Sequence, residues 1–239
     1  MKLQKLISKL EKHHKKKLDL SLGRTFNLLK KLGNPQDKLK NVVTVVGTNA
    51  KASMCYSLKS IINKAGHKTN LYTSPHLLSY TERYIFDDKE INEEDLIELL
   101  TDVEKTLGDD NATLFEILTC AFLKYAENFK DNINIIEAGL FHQFDSTNVF
   151  KENLMTLIGV IHNDHFQWLE NKSIEGVIYE KTAKLLNSNI FVNKQVNKEI
   201  RDKIDKSLEK NTSNKYYFCL LYTYPSTLDV EESSMQSSD

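Results

Sequence analysis

Residues 42–61 read VVTVVGTNAKASMCYSLKSI. Five consecutive β-branched residues predict a buried strand at 42–46, Gly47-Thr48-Asn49 predicts a tight turn, and the residues from 53 to 65 predict a helix. Strand, turn and helix in this order form the layout of a phosphate-binding loop. Successive backbone N–H groups converge on phosphate oxygens, a lysine neutralises their charge, and the helix N-terminus adds its dipole. Lys51 is placed for the cationic role, and Ser53 for capping the helix or ligating Mg²⁺. Two positions where such a loop favours glycine hold Ala50 and Ala52. Alone, the pattern is also met by a plain strand-to-helix turn, because its spacing departs from GxxxxGKS.

Outward from the loop, strand and helix alternate. The stretch LDLSLGRTFNLLKKLG carries Leu22, Phe26, Leu29 and Leu32 at helical spacing and stops at GNPQ, predicting a helical arm over residues 1–40. KTNLYTS reads as a strand entering the turn at Pro75. INEEDLIELLTDVEKTL, with an asparagine cap, and TLFEILTCAFLKYAENF read as helices. INIIEAGL and NLMTLIGVI are apolar on both faces, as parallel strands covered by helices must be. SIEGVIYEKTAKLL reads as helix, NIFVNK as strand and KEIRDKIDKSLEK as a polar helix. The fold class expected is α/β, a mainly parallel sheet flanked by helices, with the loop-bearing domain at 41–221.

With 239 residues, 40% hydrophobic and 27% charged, the chain suits one large or two small globular domains rather than a disordered polymer. A net charge of −1 provides no global field toward nucleic acid or membrane. Cys55, Cys120 and Cys219 lie far apart, without metal-ligand spacing, and read as reduced core thiols. No run approaches the ~18 apolar residues of a membrane span, and MKLQKLISKLEKHHKKK lacks the apolar stretch of a secretory signal. A cytoplasmic protein is expected, with the basic opening as a solvated helical face and His13 and His14 on the surface.

The neighbours of the loop decide between its readings. GTNAKAS resembles GTNGKGS, the nucleotide loop of the Mur ligase superfamily, and YTSPHL at 72–77 resembles the signature of folylpolyglutamate synthases and dihydrofolate synthases. The likeness continues through LGNPQ at 32–36, ER at 82–83, FEILTCAF at 115–122, EAGLFHQFDSTNV at 137–149, DH at 164–165 and YEKTAKL at 179–185. Cell-wall Mur ligases fit less well, because YTSPHL belongs to the folate branch.

This resemblance implies an ATP-dependent ligase. A folate or dihydropteroate carboxylate attacks the γ-phosphoryl group of ATP, and the amine of L-glutamate displaces phosphate from the acyl phosphate. Such chemistry depends on clamped phosphates and charge neutralisation. By resemblance, Gly47, Thr48, Asn49, Ala50, Lys51, Ala52 and Ser53 would surround the nucleotide, with Lys51 on the terminal phosphates. Ser53 and Glu137 would bind a first Mg²⁺, and Ser74, Glu137 and His165 match positions around a second. Lys181 matches a lysine carbamylated in the family, where the carbamate offers an anionic oxygen ligand. Singly, each has a bland reading: Glu137 capping a turn, Lys181 on a solvated helix face, His165 a core imidazole. His162 and His142 have no metal role by resemblance. The intact protein is expected to be a monomer with small-molecule partners, neither nucleic acid nor membrane among them.

Departures accompany the matches. Where the family pattern has GLGGRLDATN, this chain has GLFHQFDSTN, placing Phe141, His142 and Gln143 in a glycine-rich turn, while Asp145, Thr147 and Asn148 remain. GLDH becomes HNDH at 162–165. Nothing resembles the DGAHNP segment of the glutamate-binding domain, so that domain is expected to be absent. The Ser-rich tail at 222–239 is expected to be disordered or artefactual, the read-through of a truncated open reading frame. These departures leave an alternative: a non-catalytic or degenerate nucleotide-binding module of the same fold.

Overall fold

The computed structural model describes residues 2–13, 21–163, 166–169, 171–186 and 188–217. The expected tail at 222–239 and the candidate His165 lie outside the described residues, as do His14 and Cys219.

Among the described residues, eight strands form one sheet: β1 (Val42–Val46), β2 (Thr69–Tyr72), β3 (Tyr84–Phe86), β4 (Lys89–Glu90), β5 (Ile133–Glu137), β6 (Met155–Ile158), β7 (Asn189–Val192) and β8 (Asn214–Tyr217). Their order across the sheet is β4-β3-β2-β5-β1-β6-β7-β8. The six strands from β2 to β8 across the sheet are parallel, and only β3 and β4 run antiparallel at one edge. The mainly parallel α/β architecture expected from the sequence is therefore the observed one. β1 is buried at all five residues and lies between β5 and β6. Chain connections leave β1 toward β2 on one side and continue into β6 on the other, the kind of switch point beyond whose C-terminal strand ends α/β sheets bind ligands.

Among the described residues, seven α-helices flank the sheet: α1 (Lys2–His13), α2 (Gly23–Lys31), α3 (Lys51–Lys64), α4 (Glu93–Leu107), α5 (Leu114–Ala126), α6 (Ile174–Thr182) and α7 (Lys198–Ser207). The basic opening buries Leu3, Ile7 and Leu10 against the same core as α4 and α5, while Lys2, Lys5, Lys9 and Lys12 stay outside. In α2 the buried stripe is Thr25, Leu28 and Leu29, and Phe26 is 44% exposed. Leu29 and Leu32 are buried and Leu22 packs on the core as the sequence reading has them, while Phe26 turns outward; α2 faces α5, where Arg24 donates to both carboxylate oxygens of Glu116 at 3.0 and 3.1 Å. Helix α5 opens with a capping box between Thr113 and Glu116, and Asn92 caps α4 as its sequence predicts. A second core cluster joins α6 and α7 to Val46, Ile158, Ile190 and Val192. Helix α3 packs with the opposite parity of strand residues, including Val43, Val45, Leu71 and Ile135.

Candidate functional site

The loop leaves β1 at Gly47, whose φ of 147° and buried position fit glycine alone: a Cβ there would lie 3.1 Å from the Cα of Gly159. The contact is reciprocal, because a Cβ on Gly159 would lie 3.0 Å from the Asn49 carbonyl oxygen. The amides of Thr48 and Asn49 both donate to the Val160 carbonyl, at 2.9 and 3.2 Å, and the His162 amide donates to the Thr48 hydroxyl at 3.2 Å. The loop is thus laid against the segment that follows β6.

Ala50 ends the loop at φ 65° and ψ 7°, the left-handed conformation, and α3 begins without a side-chain cap. An uncapped helix start keeps backbone N–H groups facing outward with the positive end of the dipole. Ser53 is exposed on this first turn. Lys51 donates from Nζ to the Thr48 carbonyl at 3.3 Å and lies 4.0 Å from Oε1 of Glu137.

Glu137 ends β5, beside β1, and is 2% exposed. Its Oε2 accepts the Ser74 amide at 3.0 Å, which brings the turn after β2 to the same place. Burial holds its carboxyl above the ordinary glutamate range, opposed by the Ser74 amide and by the Lys51 and Arg83 charges. Glu137 thus accepts an amide of the turn after β2 with one oxygen, while the other faces the cation of the loop. Around Ser74, Glu82 accepts the amides of Leu77, Leu78 and Ser79, and Arg83 donates to Nδ1 of His76. This arrangement presents Leu77 and Leu78 almost fully to solvent.

Lys181 is not on a solvated face. It is 2% exposed on α6, and its Nζ donates to the carbonyls of Gly47 at 3.0 Å and Leu140 at 2.9 Å. The Phe141 ring stands 5.6 Å from the same ammonium. His142 is buried, with Nδ1 unpartnered, and burial followed by the Lys181 charge lowers its pKa to about 4, so it is neutral. The backbone amides of His142 and Gln143 both donate to the Glu180 carbonyl. The residues that replace a glycine-rich turn therefore pack as a plug against α6. Nearby Asp145 accepts the amide and hydroxyl of Thr147, and a Cβ on Gly139 would lie 2.7 Å from its Oδ2.

The structure brings together Gly47 to Ser53, Ser74, Glu137 and Lys181, four separate stretches of sequence meeting at the C-terminal ends of β1, β2 and β5. Among the described residues, no group of three or more His, Cys, Asp or Glu side chains is placed to hold a metal. The local donors are one buried carboxylate and the hydroxyls of Ser53 and Ser74, hard oxygens of the kind Mg²⁺ prefers. Two participants escaped the sequence reading. Gly159, a glycine inside an apolar strand, carried a detectable sign of close backbone approach. Gln195, whose amide holds the segment after β6, carried none.

No protein-family model matches the chain. Over 169 residues it is 36% identical to the dihydrofolate synthase/folylpolyglutamate synthase of Bacillus subtilis, a match covering 68% of this chain and 39% of that relative. The matched stretch is similar to the corresponding part of dihydrofolate synthase/folylpolyglutamate synthases. Among solved structures, E. coli FolC in complex with DHPP and ADP aligns with a TM-score of 0.80 at 29% identity, covering 90% of this chain and 51% of FolC. The bifunctional folylpolyglutamate synthase/dihydrofolate synthase from Yersinia pestis, complexed with AMPPNP and Mn ion, aligns with a TM-score of 0.79 at 27% identity, again over 90% of this chain and 51% of its own. The chain thus spans about 40% of the length of the curated relative from Bacillus subtilis. The fold shared with these structures includes the strands whose C-terminal ends carry Gly47 to Ser53, Ser74 and Glu137. No described helix is long and apolar enough to cross a membrane.

Proposed function

We propose that this chain is the nucleotide-binding portion of an ATP-dependent ligase that joins L-glutamate to dihydropteroate or folates through an acyl phosphate. The observation that carries the reading is the Lys51–Glu137 pair, 4.0 Å apart across the mouth of the loop, with an uncapped helix start beside it. A cation for phosphate oxygens stands next to a buried carboxylate whose charge is incompletely balanced. Such a carboxylate gains from a divalent cation what burial withholds. Glu137, Ser53 and Ser74 would hold Mg²⁺, which when bound neutralises phosphate charge. His165, which lies outside the described residues, enters this set by family resemblance. The relatives complexed with ADP, or with AMPPNP and Mn, support both parts of the proposal.

Lys51 orients the terminal phosphates, the amides at the start of α3 receive their oxygens, and the Glu137 carboxylate stays ionised once a cation faces it. The carbamate implied for Lys181 does not fit this arrangement. An ammonium donates to both Gly47 and Leu140, whereas a carbamate keeps one N–H and would leave one buried carbonyl without its donor. Lys181 therefore acts here as the ammonium that anchors the start of the loop.

A second reading, a nucleotide-binding module without ligase activity, is favoured by two departures. Ala50 occupies a left-handed position and Phe141 to Gln143 fill a turn that glycines leave open. Binding and chemistry separate the two. Titration of the chain with ATP should show Mg²⁺-dependent binding, and Lys51→Ala should weaken it by about 1 to 3 kcal/mol with little change in thermal stability. Unchanged affinity in that variant would remove the loop from the site. Glutamate incorporation by the full-length protein then distinguishes a ligase from a binding module.

A further inference from the structure

The phosphate loop is held by a carbonyl, and that carbonyl is held by a side chain no part of the functional reading uses. Gln195 follows β7 and is 7% exposed. Its Oε1 accepts the Ile161 amide at 3.0 Å, and its Nε2 donates to the carbonyls of Gly159 at 3.1 Å and Asn193 at 2.8 Å. The Ile161 amide and the Val160 carbonyl belong to one peptide group, which is planar and rigid. One end of that plane is fixed by Gln195, and the other accepts the amides of Thr48 and Asn49 at 2.9 and 3.2 Å. Gly159 allows the plane to approach, since a Cβ there would press on the Asn49 carbonyl.

We propose that Gln195 is a positioning residue for the phosphate loop: by gripping the Gly159–Ile161 backbone it sets the direction of the Val160 carbonyl, and so the place where Thr48 and Asn49 turn toward α3. The inference rests on the reading of this loop as the nucleotide site. A primary amide suits the role because it presents one acceptor and two donors, matching one N–H and two carbonyls. A hydrogen-bonded chain through a peptide group also polarises along its length, so loss of the Gln195 end weakens the Thr48 and Asn49 end. Displacement of a loop that must meet phosphate oxygens at hydrogen-bond distance then lowers affinity without removing any group that touches the ligand.

The test compares Gln195 with a buried amide at the opposite edge of the sheet. Asn70 is fully buried and its amide makes a similar set of hydrogen bonds, to Asn134, Phe129 and Asn132, away from the loop. Gln195→Leu, Gln195→Glu and Asn70→Ala are purified as full chains. Each is measured for thermal stability, for Mg-ATP affinity, and for the amide proton resonances of Thr48 and Asn49 without nucleotide. All three should lose stability. Gln195→Leu should weaken Mg-ATP binding on the order of tenfold or more, the scale seen when a supporting partner of a binding group is lost, and should move both amide resonances. Gln195→Glu, which keeps the acceptor for Ile161 but sets a carboxylate against two carbonyls, should do the same and covers the case in which the leucine variant does not fold. Asn70→Ala should leave affinity and both resonances unchanged. The proposal is overturned by wild-type affinity in the Gln195 variants, or by an equal loss in Asn70→Ala. If the wild-type chain binds no Mg-ATP, the functional reading fails instead, and the two amide resonances still decide whether Gln195 holds the loop.

Discussion

The two edges of the sheet treat polar groups in opposite ways. At the N-terminal edge, Asn70 and Asn134 are fully buried and joined by a 2.9 Å hydrogen bond. Asn134 also donates to the carbonyls of Lys40 and Asn132, and Asn132 returns a bond to Asn70. At the C-terminal edge, among the described residues, Glu137 is buried with a cation at 4.0 Å and an accepted amide, His142 Nδ1 and Gln143 Oε1 are unpartnered, and α3 starts uncapped. Around Asn70 and Asn134 the hydrogen bonds close within the chain, although Asn153 Oδ1 and Ser188 Oγ stay unpartnered at the starts of β6 and β7. The C-terminal edge leaves charge and donors incompletely matched around the loop, as a site that must receive a charged ligand does.

The largest effect should come from breaking the closed edge. Asn134→Ala removes a partner from the fully buried Asn70 and donors from the part-buried carbonyl bonds to Lys40 and Asn132. A loss on the order of 2 to 4 kcal/mol is expected from leaving such groups unsatisfied. Urea unfolding measures it, with Mg-ATP affinity at saturating folded protein as the control. A loss of affinity in the folded fraction would mean that the two edges are not independent and would blur the distinction.

A smaller effect, of the opposite sign, belongs to the open edge. Burial raises the folded-state pKa of Glu137, so the folded chain binds a proton more tightly there than the unfolded chain does. The corresponding stability is fully present below the ordinary glutamate pKa and is lost as pH rises through the raised value. In metal-free buffer, Glu137→Gln should therefore be more stable than the wild type at neutral pH, and the gain should vanish toward pH 4. A variant that is less stable at neutral pH would show that Lys51 and the Ser74 amide already satisfy the carboxylate, leaving it no need of a cation. Gln keeps an acceptor for Ser74, so the comparison isolates charge.

Much of this contrast was legible in the chain. The apolar runs of β1, β5 and β6 read as buried parallel strands because both faces are covered, and Lys51, Ser74 and Glu137 were assigned by their order in a resembling family. The β3–β4 hairpin was not read. Its strands have three and two residues, and its turn uses Asp87 and Asp88, both at positive φ, where Asn-Gly or Asp-Gly would have announced it. The polar edge strand β8, NKYY, was missed for want of an alternating pattern. Lys181 had a sign that could have been used: it lies three and four positions after Ile178 and Val177 on α6, within the buried stripe. Gln195 had none, since a side chain that bonds to backbone, mostly from a distant segment, leaves no periodic mark.

The smallest effect separates the two alanines of the loop, which the sequence motif treats alike and the backbone does not. Ala50 is held at φ 65°, where an L side chain costs about 1 to 2 kcal/mol relative to right-handed backbone. Glycine removes that strain but loses more freedom on folding, roughly 0.5 to 1 kcal/mol. Ala50→Gly should therefore stabilise the chain by a few tenths to about 1 kcal/mol, the difference between these terms. Ala52 lies inside the first turn of α3 and is exposed, with helical backbone that alanine favours. Ala52→Gly should destabilise by up to about 1 kcal/mol, the helix-propensity difference. Restoring both glycines should come close to neutral. Denaturant midpoints at constant m-value resolve shifts of this size between variants measured side by side. Equal signs for the two single variants would mean that Ala50 is not strained, and that the open edge keeps its uncapped helix start without any cost stored in the loop.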